Sequence, residues 1–173
     1  LRLSPSVDAH THAHTTTGIL DVKFGFSIET GESSIAIKQA LDSSNLTLQG
    51  IHFHLGSPIF ELEPYSTAID LVFDSLKPFF RQGLDLKKFS PGGGFAIGYL
   101  HQQLPPSIGD YAEAITSMLK NKCDDLGINY PELIIEPGRS IVGRAGVAIY
   151  TVGVTKVIPN VRTYVSLDGG MGD

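Results

Sequence analysis

Short apolar runs alternate with segments of helical period through the middle of this chain, and that alternation limits the fold more than any other feature. Leu46 to His54 reads as a strand. Pro64 then opens a stretch in which Tyr65, Ala68, Ile69, Val72, Leu76 and Phe80 recur at helical spacing, with proline at an allowed first-turn position. Pro78 is expected to end or kink that helix, because proline has no amide proton and crowds the preceding turn. Leu86 to Ser90 is a second strand candidate. Ile108, Ala112, Ile115, Leu119, Cys123 and Leu126 mark another amphipathic helix, closed by Gly127, and Leu133-Ile134-Ile135 is a third, buried-looking strand. Strand, helix, strand, helix, strand predicts parallel crossover units, hence an α/β fold built as a doubly wound sheet or a closed barrel. In either, ligands gather at the carboxyl ends of the strands.

After Arg144 the pattern changes. Ala145 to Val157 is rich in valine, isoleucine, threonine and tyrosine, and Thr163 to Leu167 follows a Pro159-Asn160 turn signal with no helix between. That predicts hairpin structure and a boundary near Ala145 into a second, mostly β domain. The chain opens on Leu1, already inside a strand-like run, and closes on a strand running into Gly169-Gly170. Both ends predict a piece of a longer protein.

Composition narrows the function classes. The net charge is −5 and the lysines and arginines are scattered, which argues against a nucleic-acid partner. No run is long or apolar enough to predict a membrane span. A single cysteine, Cys123, excludes a disulfide framework and a cysteine-based zinc site within the chain.

The three strand candidates end in suggestive chemistry. Gly50-Ile51-His52-Phe53-His54-Leu55-Gly56-Ser57 carries histidines and a serine past the first. Pro91-Gly92-Gly93-Gly94 follows the second, and glycines there let backbone amides approach an anion closely or simply make a turn. Glu136-Pro137-Gly138-Arg139-Ser140-Ile141-Val142-Gly143 follows the third. Its acid can neutralise a ring nitrogen and its guanidinium can hold a carboxylate or phosphate, or the two can pair with each other at a domain junction.

Taken in order, these three motifs resemble those of the pyridoxal-phosphate decarboxylases built on an alanine-racemase-like barrel. The resemblance covers essentially the whole chain. Thr11-His12, Thr17-Gly18, Lys23-Phe24-Gly25-Phe26 and the closing Val165-Ser166-Leu167-Asp168-Gly169-Gly170-Met171-Gly172-Asp173 are similar to the diaminopimelate branch. The resemblance implies that residues 1–144 are the C-terminal part of a (β/α)8 TIM-type barrel, cofactor-binding, and that 145–173 begin a C-terminal β domain. It implies pyridoxal 5'-phosphate as cofactor, with His54 stacked on its ring, and Ser57, Gly92, Gly93 and Gly94 at its phosphate. Glu136 would pair with the ring nitrogen as the catalytic carboxylate, within a cofactor-binding segment that includes Pro137, Gly138 and Arg139. Arg139 would also help to bind the distal end of an amino-acid substrate. The implied reaction removes the carboxylate at the D-configured centre of meso-diaminopimelate and yields L-lysine and carbon dioxide. A homodimer with shared active sites is implied, with Lys23 at a position that serves subunit contacts. The implied location is the cytoplasm, or the plastid in a plant.

Some positions depart from that pattern. The family's cofactor-linking lysine is expected upstream of Leu1, and the partner subunit's cysteine motif beyond Asp173, so catalysis would need both. Pro58 stands where glutamine is common and Val22 where serine is usual. Ornithine, arginine or carboxynorspermidine decarboxylation are neighbouring readings. A different class is also open: Val7-Asp8-Ala9-His10-Thr11-His12 resembles the metal motif of barrel amidohydrolases, with His14, His52 and His54 as further ligands. A non-catalytic relative that keeps the pocket is a third.

Overall fold

The computed structural model describes residues 1–9, 23–99 and 104–170, as two compact units, Leu1–Gly143 and Arg144–Asp173. The first is mixed α/β. Its strands are short and parallel: β1 (Leu3–Ser4), β2 (Phe26–Ser27), β3 (Gly50–His52), β4 (Lys88–Ser90) and β5 (Glu132–Leu133). β1 pairs with β2, while β3, β4 and β5 pair in that order. A parallel bridge from Arg2 to His52, closed by His52 N–H donating to the Leu1 carbonyl at 2.9 Å, joins the two sets. The lateral order is therefore β2-β1-β3-β4-β5. Parallel pairing throughout puts every carboxyl end on the same side, and the loops that follow share that side.

Three helices make the crossovers. α1 (Glu32–Asp42) follows β2 and buries Ser33, Ala36, Ile37 and Ala40. α2 (Glu63–Phe80) buries Tyr65, Ala68, Ile69, Val72 and Leu76 as its spacing predicts, and Phe73 and Phe79 besides, whereas Phe80 is only half-buried. Pro78 does not end the helix where it stands, and α2 runs on to Phe80. The proline lies in the last turn, where the loss of one amide donor is tolerated because the chain is about to leave the helix. The turn closes through Gln82 N–H to the Phe79 carbonyl at 2.9 Å and Gly83 N–H to Phe80 at 3.3 Å.

α3 (Ile108–Leu126) starts on a reciprocal cap: Ser107 Oγ accepts from Asp110 N–H at 3.1 Å, and Asp110 Oδ2 accepts from Ser107 N–H at 2.7 Å. It ends at Gly127, whose φ of 64° only glycine adopts without strain, with Ile128 N–H reaching back to the Cys123 carbonyl at 3.0 Å. The buried face is Tyr111, Ile115, Leu119 and Cys123. Ile108 and Ala112 are exposed, one step around the helix, beside an apolar recess of about 480 Å³ that Phe95, Ile135 and Pro137 also line.

The core lies between helices and sheet. Phe53, Phe73 and Phe89 meet edge to face, with centroids 5.9 Å apart for Phe53–Phe89 and 5.2 Å for Phe73–Phe89. Lys122 of α3 pairs with Asp70 and Asp74 of α2, which ties the two helices on their outer side. Beyond β5, Ile134 and Ile135 are exposed and not buried as their composition predicts, because among the described residues β5 has β4 on one side and no strand on the other. A four-residue helix, α4 (Arg139–Val142), follows.

The second unit is a hairpin of β6 (Val152–Ile158) and β7 (Arg162–Leu167), antiparallel and turned through Asn160 at a φ of 61°. A register shift lies between Val152 and Thr155, where Ser166 Oγ accepts from Val154 N–H at 2.7 Å in place of a ladder bond. Among the described residues no helix is long and apolar enough to cross a membrane.

Candidate functional site

The ends of β3, β4 and β5 bring their loops into direct contact. Past β4 the backbone of Gly93 pairs in parallel with Glu136, and Glu136 N–H donates to the Gly92 carbonyl at 3.0 Å. A Cβ on Gly93 would run into the Glu136 carbonyl, so this approach requires glycine. A Cβ on Gly92 would lie 2.7 Å from both His54 Nδ1 and the Phe53 carbonyl, and its φ of 75° favours glycine independently. The loop after β3 is clamped to Gly94 as well, through Ile59 N–H to the Gly94 carbonyl at 2.8 Å. Ser57 sits between that contact and Gly56, whose carbonyl also faces Gly94.

Two buried tyrosines hold these loops from below. Tyr65 of α2 donates its hydroxyl to the Gly93 carbonyl at 2.7 Å. Tyr111 of α3 donates to the Ile59 carbonyl at 2.6 Å and accepts from Ala96 N–H at 3.3 Å, so its oxygen relays a bond between the two loops. Phe95 stacks on Tyr65 at 5.8 Å and meets Tyr111 edge to face at 5.2 Å. Burial, with Tyr111 adding, pushes the Tyr65 hydroxyl far above its ordinary pKa and keeps it a donor.

Glu136 is held by one oxygen. Its Oε1 lies 3.0 Å from His52 Nε2 and accepts from Ser90 Oγ at 3.4 Å. Ser90 Oγ in turn accepts from Gly92 N–H at 3.2 Å, which connects the carboxylate to the glycine loop. Burial lowers the pKa of His52 from its ordinary 6.5; Glu136 opposes this and Arg2 adds to it. His54 is lowered by burial and then by Arg2. Its Nδ1 accepts from Gly93 N–H at 3.3 Å, so the neutral ring carries its proton on Nε2.

The geometry brings His54, Ser57, Gly92, Gly93, Gly94 and Glu136 together at one end of the sheet. Pro137, Gly138 and Arg139 follow on the β5 side, where Gly138 precedes α4 and Arg139 begins it. A Glu136–Arg139 ion pair is not formed among the described residues: Glu136 turns to His52 instead. Sequence reasoning missed Arg2 and Ser90, and it gave His52 a part only as a metal ligand. The available signal was strand period, since His52 and His54 lie on the same face two residues apart. His10, His12, His14, His101, Val22 and the Thr11-His12 and Thr17-Gly18 pairs lie outside the described residues.

A carboxylate fixed beside a glycine loop at parallel strand ends is one element of the likeness; the sequence of the whole unit decides the matter. The family described as pyridoxal-dependent decarboxylase, pyridoxal binding domain, matches residues 1–143. The chain belongs to this family. Among curated pyridoxal-dependent decarboxylases it is 41% identical to the diaminopimelate decarboxylase of Halalkalibacterium halodurans and 43% to that of Staphylococcus aureus, in each case over 100% of this chain and 40% of the relative. The chain thus spans about two fifths of the length of the relatives it matches. Solved structures agree. The diaminopimelate decarboxylase of Helicobacter pylori, complexed with L-lysine, superposes with a TM-score of 0.76 at 33% identity, covering 99% of this chain and 40% of that one. The enzyme of M. jannaschii gives 0.75 at 34%, covering 99% and 39%. Membership in a pyridoxal-dependent family leaves the amidohydrolase reading without support.

Proposed function

We propose that the complete protein is a pyridoxal-phosphate-dependent diaminopimelate decarboxylase, acting on meso-diaminopimelate to give L-lysine and carbon dioxide. The observation that carries the reading is the backbone pairing of Gly93 with Glu136, which sets a carboxylate held by His52 and Ser90 directly beside a glycine loop. The name shared by the relatives and the L-lysine bound to the Helicobacter pylori enzyme support the substrate.

The residues present fit the cofactor. Gly92 and Gly93 commit their amides to Ser90 Oγ and His54 Nδ1, and on this reading Ser57 and the Gly92–Gly94 loop take the phosphate. Glu136 presents its second oxygen, Oε2, to a ring nitrogen and holds a proton there. His54, steadied at Nδ1, lies against the ring face. When bound, pyridoxal phosphate supplies a conjugated ring that accepts the electron pair left as carbon dioxide departs. Arg139, with Pro137 and Gly138 setting its approach, binds the far end of the amino-acid substrate.

On this reading residues 1–144 are the C-terminal part of a (β/α)8 barrel, and 145–173 begin a β domain. The parallel order of β1 to β5 and the hairpin of β6 and β7 are consistent with that. The complete protein is a cytoplasmic or plastid homodimer that shares its active sites. Exposed Phe24 and Phe26, next to Lys23, favour a subunit contact there.

The test is carbon dioxide release from meso-diaminopimelate by the complete protein, with and without added pyridoxal phosphate, and with ornithine as control. Cofactor-dependent release from the first substrate alone supports the proposal. Release from ornithine instead overturns the substrate, and release from neither overturns the activity.

A further inference from the structure

His52 and Ser90 reach Glu136 through a single oxygen. His52 Nε2 lies 3.0 Å from Oε1 and Ser90 Oγ 3.4 Å from the same atom. His52 ends β3, Ser90 ends β4, and Glu136 follows β5, so the contact joins three adjacent strands. Glu136 itself is about half exposed, at 52% of its side chain. A carboxylate in that setting samples several rotamers unless a donor holds it. His52, at 26%, is the more buried partner.

We propose that His52 is a positioning residue for the decarboxylation reaction: it anchors Glu136 by Oε1 and thereby aims Oε2 at the nitrogen of the cofactor ring. This rests on the reading of Glu136 given above. The imidazole serves as a neutral donor. Burial, assisted by Arg2, disfavours its charged form, and in a neutral ring the nitrogen facing a carboxylate carries the proton. A neutral donor fixes the carboxylate without cancelling its charge, and the charge is what keeps a proton on the ring nitrogen. Ser90 is the weaker anchor, since its oxygen is longer from Oε1 and is shared with Gly92 N–H.

The experiment compares His52→Leu and His52→Gln in the complete protein loaded with pyridoxal phosphate. Leucine fills the space without a donor; glutamine restores an N–H. The ring nitrogen is labelled with 15N and its chemical shift read alongside kcat, KM and cofactor affinity. The expected result is a protonated nitrogen in the unmodified protein and a shift toward the unprotonated position in His52→Leu. A fall in kcat of about 10- to 100-fold accompanies it, with KM and cofactor affinity within about threefold. His52→Gln recovers both shift and kcat. An unchanged shift and kcat in His52→Leu overturns the inference and leaves the Glu136 reading standing. So does a loss of kcat that glutamine does not rescue, since that marks a packing role. An unprotonated nitrogen in the unmodified protein overturns the Glu136 reading and the inference with it.

Discussion

The Tyr65 hydroxyl, buried inside α2, donates to the Gly93 carbonyl at 2.7 Å, so the helix core and the glycine loop are one hydrogen-bonded unit. Tyr111 does the same for the neighbouring loop through Ile59. The precision of the site therefore depends on side chains that never face a ligand. Tyr65→Phe leaves the Gly93 carbonyl buried without its donor. A loss of about 1–3 kcal/mol in unfolding free energy is expected, read from denaturant midpoints, together with weaker cofactor retention after dialysis.

Gly93→Ala drives a methyl group into the Glu136 carbonyl, which is backbone and cannot rotate aside. The two strand ends must separate. The expected cost is about 1–3 kcal/mol of stability, with a lower affinity for pyridoxal phosphate, measured by equilibrium titration of the complete protein. Gly127→Ala strains only a helix end with open space around it, and cofactor affinity is expected to hold.

His52 and His54 predict a pH dependence of folding stability. Both have pKa values lowered in the folded protein, by burial first, so the unfolded chain binds their protons more readily. Stability from this source is complete above the ordinary 6.5 and is lost as pH falls below it toward the folded pKa values. Urea midpoints at several pH values between neutral and mildly acid would show the decline. Replacing both histidines by glutamine is expected to flatten it relative to the unmodified protein.

His54→Ala removes the ring whose Nδ1 accepts from Gly93 N–H. On the proposed stacking, cofactor affinity falls about tenfold or more. Spectroscopic titration with pyridoxal phosphate checks this, and an unchanged affinity would contradict the stacking role.

The long helices were legible because their burial is carried by large apolar residues at regular spacing. Tyr65, Ile69, Val72 and Leu76 announce α2, while Ile115, Leu119 and Cys123 and then Gly127 mark α3. α1 escaped notice since its inward face is Ser33, Ala36, Ile37 and Ala40, small residues that give little hydrophobic contrast. β2 was hidden for a different reason: two residues leave no alternation to read. The glycine loop and Glu136 were legible as types at strand ends. Their anchoring was not, because Tyr65 to Gly93, Tyr111 to Ile59 and His52 to Glu136 are contacts between residues far apart in the chain. Ile134 and Ile135 misled in the opposite direction, as composition marks a strand without saying whether a neighbour covers it.

Glu136→Ala in the complete protein tests the central claim most directly, with turnover of meso-diaminopimelate and bound cofactor measured on the same sample. The account predicts that pyridoxal phosphate remains bound while turnover falls by about 100-fold or more. Turnover unchanged from that of the unmodified protein would contradict it.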